Sequence, residues 1–265
     1  MKKSLFAPLN LNMIIMLLIT LLSAQTDIAE WLDLEKAPRA LRILTYNIRF
    51  GRCFNDLIGK FGLDLECVGN VISAIKPEYA GIQEVDRNNT PSEKKDQIRE
   101  LERMTRLHSY YGIIIDFGGD EYGIGVFSIE NAISVKSINL PTRGEPDKAL
   151  IEIKFEDFVF FNTHLSLTAE FSVITADIIN NETTQFHKPI ILTRDFNISI
   201  SKEFFNLFGN KLTVISPDEA SWPADQPRDR FDHTLIADPT NQIPINGPHP
   251  ERVRSEERIN SDSCV

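Results

Sequence analysis

The sequence predicts one α/β (α+β) domain in which β-strands and α-helices share a single core. Three observations support this fold class. Short runs of β-branched and aromatic residues recur along the chain between turn residues, which is typical of strands. Two segments carry apolar residues at helical spacing. The chain has 265 residues, which is long enough to bury one sizeable core.

The first part of the domain is predicted to alternate between strands and helices. Residues 41–48 are apolar and β-branched, and residues 79–84 form a similar run that ends in an acid. Residues 64–75 place apolar side chains at helical spacing, and Pro77 ends that pattern. A second helical pattern covers residues 94–108. The expected order is therefore strand, helix, strand and helix.

The remainder of the domain is predicted to consist mainly of strands. Strand-like runs occur at residues 110–117, 122–129, 149–155, 158–164, 190–192 and 231–237. A weaker helical pattern covers residues 168–180, and a short one covers residues 204–208. The segment Phe155-Glu156-Asp157-Phe158 predicts a hairpin, because a short polar turn commonly joins two antiparallel strands.

The ends of these strands repeatedly deliver a polar or acidic side chain. The residues are Asn47, Glu84, His164, Asp195 with Asn197, and Asp232. In an extended chain, Asp195 and Asn197 share a face, while Phe196 points into the core. Each residue alone has an ordinary explanation as a turn residue, a cap or a solvated strand end. Together they indicate a site at one rim of a two-sheet fold.

The carboxylate and the amide of this motif suit metal-dependent phosphoester chemistry. A carboxylate such as Asp195 binds a cation or orients water, and an amide such as Asn197 hydrogen-bonds a phosphoryl oxygen. Mg²⁺ prefers carboxylate, amide and water oxygens, so the residue types agree with such a cation.

Residues 1–24 are predicted to be a secretory signal peptide. Two lysines precede an apolar run at residues 11–22, and Ala24 lies at a small-residue cleavage site. The run is short for a membrane span, which needs about 20 apolar residues, although an uncleaved N-terminal anchor is the alternative. Residues 25–40 then lead into a domain at residues 41–265. The protein is expected to be exported, either secreted or periplasmic, with no stable membrane span after cleavage.

The net charge bears on the class of substrate, and the cysteines bear on whether disulfides form. The net charge is −10, and signal cleavage would remove two lysines and no acid. Nonspecific nucleic-acid binding needs Lys and Arg, so the negative net charge favours a small phosphoester substrate over nucleic acid. The protein is also expected to be a monomer. An exported chain permits disulfides. The pair Cys53–Cys67 is one option, with Cys264 as the third cysteine, and the sequence leaves the pairing open.

Six segments follow the order and spacing of one known superfamily. They are TYNIR at 45–49, QEVD at 83–86, YGIGVFS at 122–128, NTHLS at 162–166, RDFN at 194–197 and SWPADQPRDRFDHTLIA at 221–237. On these segments the chain resembles the endonuclease/exonuclease/phosphatase superfamily, which has the DNase I-like fold. The resemblance implies two mixed β-sheets packed as a sandwich flanked by helices. It also implies hydrolysis of phosphoester bonds, as in phosphodiesterases, phosphatases or nucleases, by in-line attack of an activated water with Mg²⁺ or Mn²⁺.

The resemblance also implies how the predicted site would bind its metal. Glu84 would be the main metal ligand, and Asn47 would lie beside it as a second metal-site residue. Asp262, near the C-terminus, would belong to the same metal-binding set.

The remaining site residues would act on the substrate. The resemblance implies that Asp195 orients or deprotonates the attacking water and that His164 donates to the phosphoryl group. Asn197 would bind a phosphate oxygen. Asp232 would take the position of the aspartate that the family pairs with a late histidine.

The chain departs from the family pattern at two positions. Arg194 stands where the family usually has glycine, and its charge suits phosphate binding, so it is predicted to contact substrate unless it distorts the strand end. Ser263 stands where the family has its late histidine, and the family's last strand is expected to be lacking. A hydroxyl cannot carry the positive charge of an imidazolium. His233 follows Asp232 and should point to the opposite face, so it does not replace that histidine. The alternative function is therefore a catalytically impaired family member that acts as a binding module.

Overall fold

The computed structural model describes residues 41–55, 60–116, 119–141, 148–165, 169–195, 212–216 and 228–239. The strands in these residues are β1 (Ile43–Asn47), β2 (Arg52–Asn55), β3 (Lys60–Leu63), β4 (Tyr79–Arg87), β5 (His108–Asp116), β6 (Glu121–Ser128), β7 (Ser134–Leu140), β8 (Lys148–Lys154), β9 (Val159–His164), β10 (Ile190–Asp195), β11 (Thr213–Val214) and β12 (Asp232–Ala237). The helices are α1 (Leu65–Ile75), α2 (Gln97–Thr105) and α3 (Ala169–Thr183), with a 3₁₀ turn at Thr90–Ser92.

Two mixed β-sheets form the framework of these residues. The four-stranded sheet has the order β1–β4–β6–β5, and the six-stranded sheet has the order β11–β12–β10–β9–β8–β7. Each sheet contains one parallel pair, β1 with β4 and β9 with β10, while the other neighbours are antiparallel. Strand β4 contacts β9 and β10, so the two sheets pack face to face. The predicted sandwich of two mixed sheets flanked by helices is confirmed.

Helix α1 has a capping residue at each end. The carboxylate of Asp64 accepts a hydrogen bond from a backbone N–H of the first turn at 2.9 Å, which satisfies one of the unpaired donors there. Lys76 ends the helix in the left-handed conformation, immediately before Pro77. The buried side of α1, which includes Val68, packs in one core cluster with β1 and β4. The helix predicted at residues 64–75 is confirmed.

Helix α2 begins later than the sequence predicts. The apolar pattern suggests a start at residue 94, whereas the first helical residue is Gln97. Glu93 and Lys94 have φ of 57° and 58°, a left-handed conformation that no right-handed helix contains. Asp96 then caps the helix through its side chain. A tight turn therefore precedes α2 where periodicity alone extends the helix.

The sequence does not predict β7, β11 or the β2–β3 hairpin. Strand β7 lies at the edge of the six-stranded sheet and is largely exposed, so it has no buried apolar run to reveal it. Its pairing with β8 is antiparallel along its whole length, from Ser134 with Lys154 to Leu140 with Lys148. The short polar strands form because a neighbour supplies backbone hydrogen bonds, and that information is nonlocal.

Cys53 of β2 and Cys67 of α1 form a disulfide. In the described residues, the β2–β3 hairpin pairs with neither large sheet, so the disulfide is a covalent link between this hairpin and α1. The sequence leaves the cysteine pairing open, and the structure contains the Cys53–Cys67 bond. A cross-link of this kind stabilises a fold mainly by restricting the unfolded chain.

Several predictions concern residues outside the described part of the chain. They are the signal peptide at residues 1–24, the inward-pointing Phe196 and the short helix at 204–208. Within the described part, no helix is both long and apolar enough to cross a membrane.

Candidate active site

Three polar side chains lie in one row across the six-stranded sheet. Asp195, the last residue of β10, pairs in register with His164 at the end of β9 and with Asp232 at the start of β12. Residues that pair directly across neighbouring strands point to the same face. All three residues are buried, with exposures of 3%, 4% and 6% for His164, Asp195 and Asp232. The row therefore places an imidazole on one side of Asp195 and a second carboxylate on the other.

Asn47 and Glu84 reach the same place from the four-stranded sheet. The side-chain nitrogen of Asn47 donates one hydrogen bond to Glu84 Oε1 and another to Asp195 Oδ2, each at 2.8 Å. The backbone N–H of Arg49 donates to Asn47 Oδ1 at 3.0 Å, which fixes the orientation of the amide. Asn47 thus holds two carboxylates together across the two sheets. This arrangement supports a role for Asn47 in holding the two carboxylates, and its predicted place beside the metal stays a prediction.

Glu84 owes its direction to an irregularity in β4. The register between β4 and β6 shifts between Ile82 and Val85, which is a β-bulge. Glu84 lies inside this bulge with φ of 55°, a backbone conformation that residues other than glycine rarely adopt. Bulges are common beside active sites, where they redirect one side chain away from the regular alternation. The strained backbone therefore supports a functional role for Glu84.

His164 is held between the carboxylates and a tyrosine. Its Nε2 lies 3.8 Å from Asp195 Oδ2 and 4.0 Å from Glu84 Oε1. On the other side of the ring, Nδ1 lies 3.3 Å from the hydroxyl of Tyr122. Burial, followed by the negative charges of Glu84, Asp86 and Asp195, raises the pKa of Tyr122 above its ordinary value. Tyr122 therefore keeps its proton, and in the tautomer in which it donates to Nδ1 the imidazole proton lies on Nε2, toward the carboxylates.

The donor set fits a hard divalent cation. Within the described residues, no group of three or more His, Cys, Asp or Glu side chains is arranged as a metal site. Mg²⁺ keeps several waters and commonly uses only one or two protein carboxylates, so Glu84 alone can serve as its carboxylate ligand in the described residues. Glu84 Oε1 bonds Asn47, while Oε2 has no hydrogen-bond partner among the described residues, and the side chain is 17% exposed. Glu84 can therefore bind a cation that arrives from solvent.

Arg194 and His233 lie on the opposite face of the six-stranded sheet. Arg194 pairs in register with His233 and Thr163, one position away from the row that contains Asp195. Side chains alternate along a strand, so these residues point away from the site. Arg194 is fully buried there. Its position therefore gives no support to the predicted contact with substrate, and His233 lies on the face that the sequence predicts.

The buried state of His233 should make the fold sensitive to acid. Burial, followed by the charges of Arg230 and Arg194, lowers the pKa of His233 from 6.5 to about 2. Between these values the unfolded imidazole binds a proton that the folded one does not. Stability should therefore fall as pH drops below 6.5, by about 1.4 kcal/mol per pH unit from this group. Urea unfolding at pH 5.5 and 4.5, where the unfolded imidazole is almost fully protonated, should show this loss in the native protein and not in His233→Gln. Equal losses in both proteins would contradict the assignment.

Three predicted positions lie outside the described residues. They are Asn197, predicted to bind a phosphate oxygen, Asp262, predicted to bind metal, and Ser263, which replaces the late histidine of the family. Their roles stay predictions.

Solved structures of known proteins share this architecture. A mannosyl-6-phosphatase of Bacteroides thetaiotaomicron superposes with a TM-score of 0.60 at 16% sequence identity, covering 75% of this chain and 85% of the phosphatase. An endonuclease/exonuclease/phosphatase family protein of the same species gives 0.61 at 15% identity, with 77% and 83% covered. One from Leptotrichia buccalis gives 0.54 at 20% identity, with 74% and 87% covered.

The chain has the DNase I-like fold. No protein-family model matches the sequence, and a search of curated proteins finds no significant match. At identities of 15–20% the likeness establishes the fold alone, because one fold can carry many different activities.

The DNase I-like sandwich brings together residues that are far apart in the sequence. The ends of β1, β9 and β10, the start of β12 and the bulge of β4 meet at one rim, as the sequence predicts for strand-end residues. Sequence reasoning missed Tyr122 as a site residue. Its signal was its place at the start of the YGIGVFS segment, which the sequence marks as a strand and as part of the family pattern without indicating a role for its tyrosine.

Proposed function

We propose that this protein hydrolyses phosphoester bonds with the help of a divalent cation, Mg²⁺ or Mn²⁺. One observation carries the proposal: the amide of Asn47 joins the carboxylates of Glu84 and Asp195 across the two sheets, with His164 Nε2 within 4.0 Å of both. A solvent-accessible carboxylate, a second carboxylate and a buried imidazole form a set that can bind a cation, activate water and donate to an anion. The solved structures of the same fold include a mannosyl-6-phosphatase.

Each residue of this set has a distinct task in the proposed reaction. Glu84 holds the cation, which supplies charge to neutralise a bound phosphoryl group. Asp195 accepts the proton of the attacking water, and Asn47 keeps its carboxylate in place. His164 donates from Nε2 to a phosphoryl oxygen, where negative charge develops. Asp232 extends the row of carboxylates beside Asp195 and is proposed to act with it.

The proposed substrate is a small phosphoester rather than a long nucleic acid. The net charge of −10 disfavours the many phosphate contacts that nonspecific nucleic-acid binding needs. Export is part of the same proposal, supported by the signal-like N-terminus and by the disulfide between Cys53 and Cys67, since disulfides persist mainly in oxidising compartments.

The purified protein would be assayed with bis(p-nitrophenyl) phosphate, p-nitrophenyl phosphate and a sugar phosphate. Each assay would be run with Mg²⁺, with Mn²⁺ and with a chelator. Cation-dependent hydrolysis would support the proposal and would separate diesters from monoesters. A folded protein that neither hydrolyses any of them nor gains thermal stability from either cation would contradict it. Stabilisation by cation without hydrolysis would favour the alternative, a binding module.

The hydroxyl of Tyr122 should contribute to turnover. Tyr122→Phe removes the hydroxyl that lies 3.3 Å from His164 Nδ1 and leaves the aromatic ring, which packs on Phe50 with centroids 5.6 Å apart. A neutral hydrogen bond contributes about 0.5–1.5 kcal/mol, so kcat should fall about 2–10-fold with little change in KM. Tyr110→Phe is the matched control, because its hydroxyl donates to the carbonyl of Glu130 at 3.3 Å, away from the site and from the β4 bulge. Equal effects of both substitutions would show that Tyr122 has no specific link to His164.

A further inference from the structure

A buried polar cluster joins the two sheets directly beneath the proposed site. Its members are Thr45, Gln83, Asn162 and Thr193, all of them buried. Asn162 precedes His164 by two residues and Thr193 precedes Asp195 by two, so each points to the same face as the site residue that follows it. The cluster therefore forms the layer on which the site rests.

Asn162 uses the whole hydrogen-bonding capacity of its amide in this layer. Its Oδ1 accepts from Gln83 Nε2 at 2.7 Å and from Thr193 Oγ1 at 3.2 Å. Its Nδ2 donates to the backbone carbonyls of Ile82 at 3.0 Å and of Gly125 at 2.8 Å. One side chain of the six-stranded sheet thus binds the backbone of two neighbouring strands, β4 and β6, in the other sheet. Satisfied buried networks of this kind hold a local structure in one arrangement.

The two carbonyls mark the place where the bulge begins. Ile82 and Gly125 are paired in register, and the next pair after the shift is Val85 with Gly123. Glu84 lies between these pairs with its positive φ. A strained residue of this kind persists only where its surroundings impose the conformation. Asn162 therefore hydrogen-bonds both residues of the last regular pair before the bulge.

We propose that Asn162 is a positioning residue that fixes the β4 bulge and thereby aims Glu84 at Asn47 and Asp195. The inference rests on the proposed function only in assigning cation binding to Glu84. Asn162 touches neither cation nor substrate in this account and acts only through the backbone of β4.

The packing around Gly81 leaves the backbone of β4 no freedom to shift at this layer. A Cβ added to Gly81 would lie 2.0 Å from Thr193 Oγ1 and 2.7 Å from Asn162 Oδ1. The backbone of β4 therefore presses directly on the cluster, with no space for an intervening water. Replacing the amide of Asn162 should therefore shift the backbone of β4.

The test compares Asn162→Leu with Thr163→Val in the full protein. Leucine has nearly the shape of asparagine and lacks both amide donors. The control removes a different buried hydrogen bond of the same strand, from Thr163 Oγ1 to the carbonyl of Ala149 at 2.8 Å, on the opposite face. The first readout is a crystal structure of each variant, and the second is the dissociation constant for Mn²⁺ from thermal-shift titration.

Asn162→Leu should alter the β4–β6 register or the φ of Glu84, break the contact between Glu84 and Asn47, and weaken Mn²⁺ binding at least tenfold. Thr163→Val should change neither readout. An Asn162→Leu structure that keeps the bulge and the contact would overturn the proposal. If this variant does not fold, Asn162→Ser, which cannot reach both carbonyls, replaces it with the same expected changes. If the native protein binds neither Mn²⁺ nor Mg²⁺, the cation-binding part of the proposed function is wrong, and the structures still decide the role of Asn162.

Discussion

Replacing Asp195 with asparagine is expected to lower kcat by about 10²–10⁴-fold, the usual contribution of general acid–base catalysis. Asparagine has the shape of aspartate and can still accept the hydrogen bond from Asn47 through its side-chain oxygen. It cannot accept a proton from water. The fold should therefore be retained while the chemical step is lost, and KM should change much less than kcat.

The measurement is the rate of cation-dependent phosphoester hydrolysis at saturating substrate. Asp177→Asn is the matched control, because Asp177 is exposed on α3 and the substitution changes the net charge by the same amount. The control should keep the native rate. Native turnover in Asp195→Asn, with an unchanged melting temperature, would remove Asp195 from the mechanism.

Replacing Glu84 with glycine is expected to abolish the response to cations without weakening the fold. A residue other than glycine in a strained backbone conformation costs about 1–3 kcal/mol, and glycine adopts a positive φ without that strain. This gain offsets the lost hydrogen bond to Asn47. In a chelator, the variant should therefore melt at or above the native temperature. Mn²⁺ at 100 times the native dissociation constant should stabilise the native protein by about 2.7 kcal/mol and leave the variant unchanged.

Glu93→Gly is the control that separates strain from cation binding. Glu93 has φ of 57°, close to the 55° of Glu84, and its carboxylate pairs with Lys95 at the surface. Its replacement should relieve a similar backbone strain and keep the full response to Mn²⁺. The role of Glu84 would be rejected if the Glu84→Gly variant still gained stability from Mn²⁺ to the native extent.

Much of the fold follows from local patterns in the sequence. Helix α1 was predicted from its apolar spacing and from Pro77, since a helical stripe and its stop signal lie within a few turns of chain. The buried strands β4, β9 and β10 were predicted because continuous apolar runs reflect burial on both faces. Strand β7 was not, because an exposed edge strand has no such run.

The chemical identity of the candidate site was determined by the sequence, and its geometry by tertiary structure. Polar residues that end apolar strands, such as Glu84, His164 and Asp195, are recognisable in the sequence alone. A carboxylate or an imidazole is costly to place beside buried apolar residues, so it marks a position with a role other than packing. Strand register determines the bulge that directs Glu84 into the site, and it also determines that Arg194 lies on the opposite face of its sheet. Register is a property of pairs of strands distant in sequence, and a shift of one residue exchanges the two faces of a strand. Only the folded sheets could therefore decide which of the predicted residues meet, and which side chain, Asn162, lies beneath them.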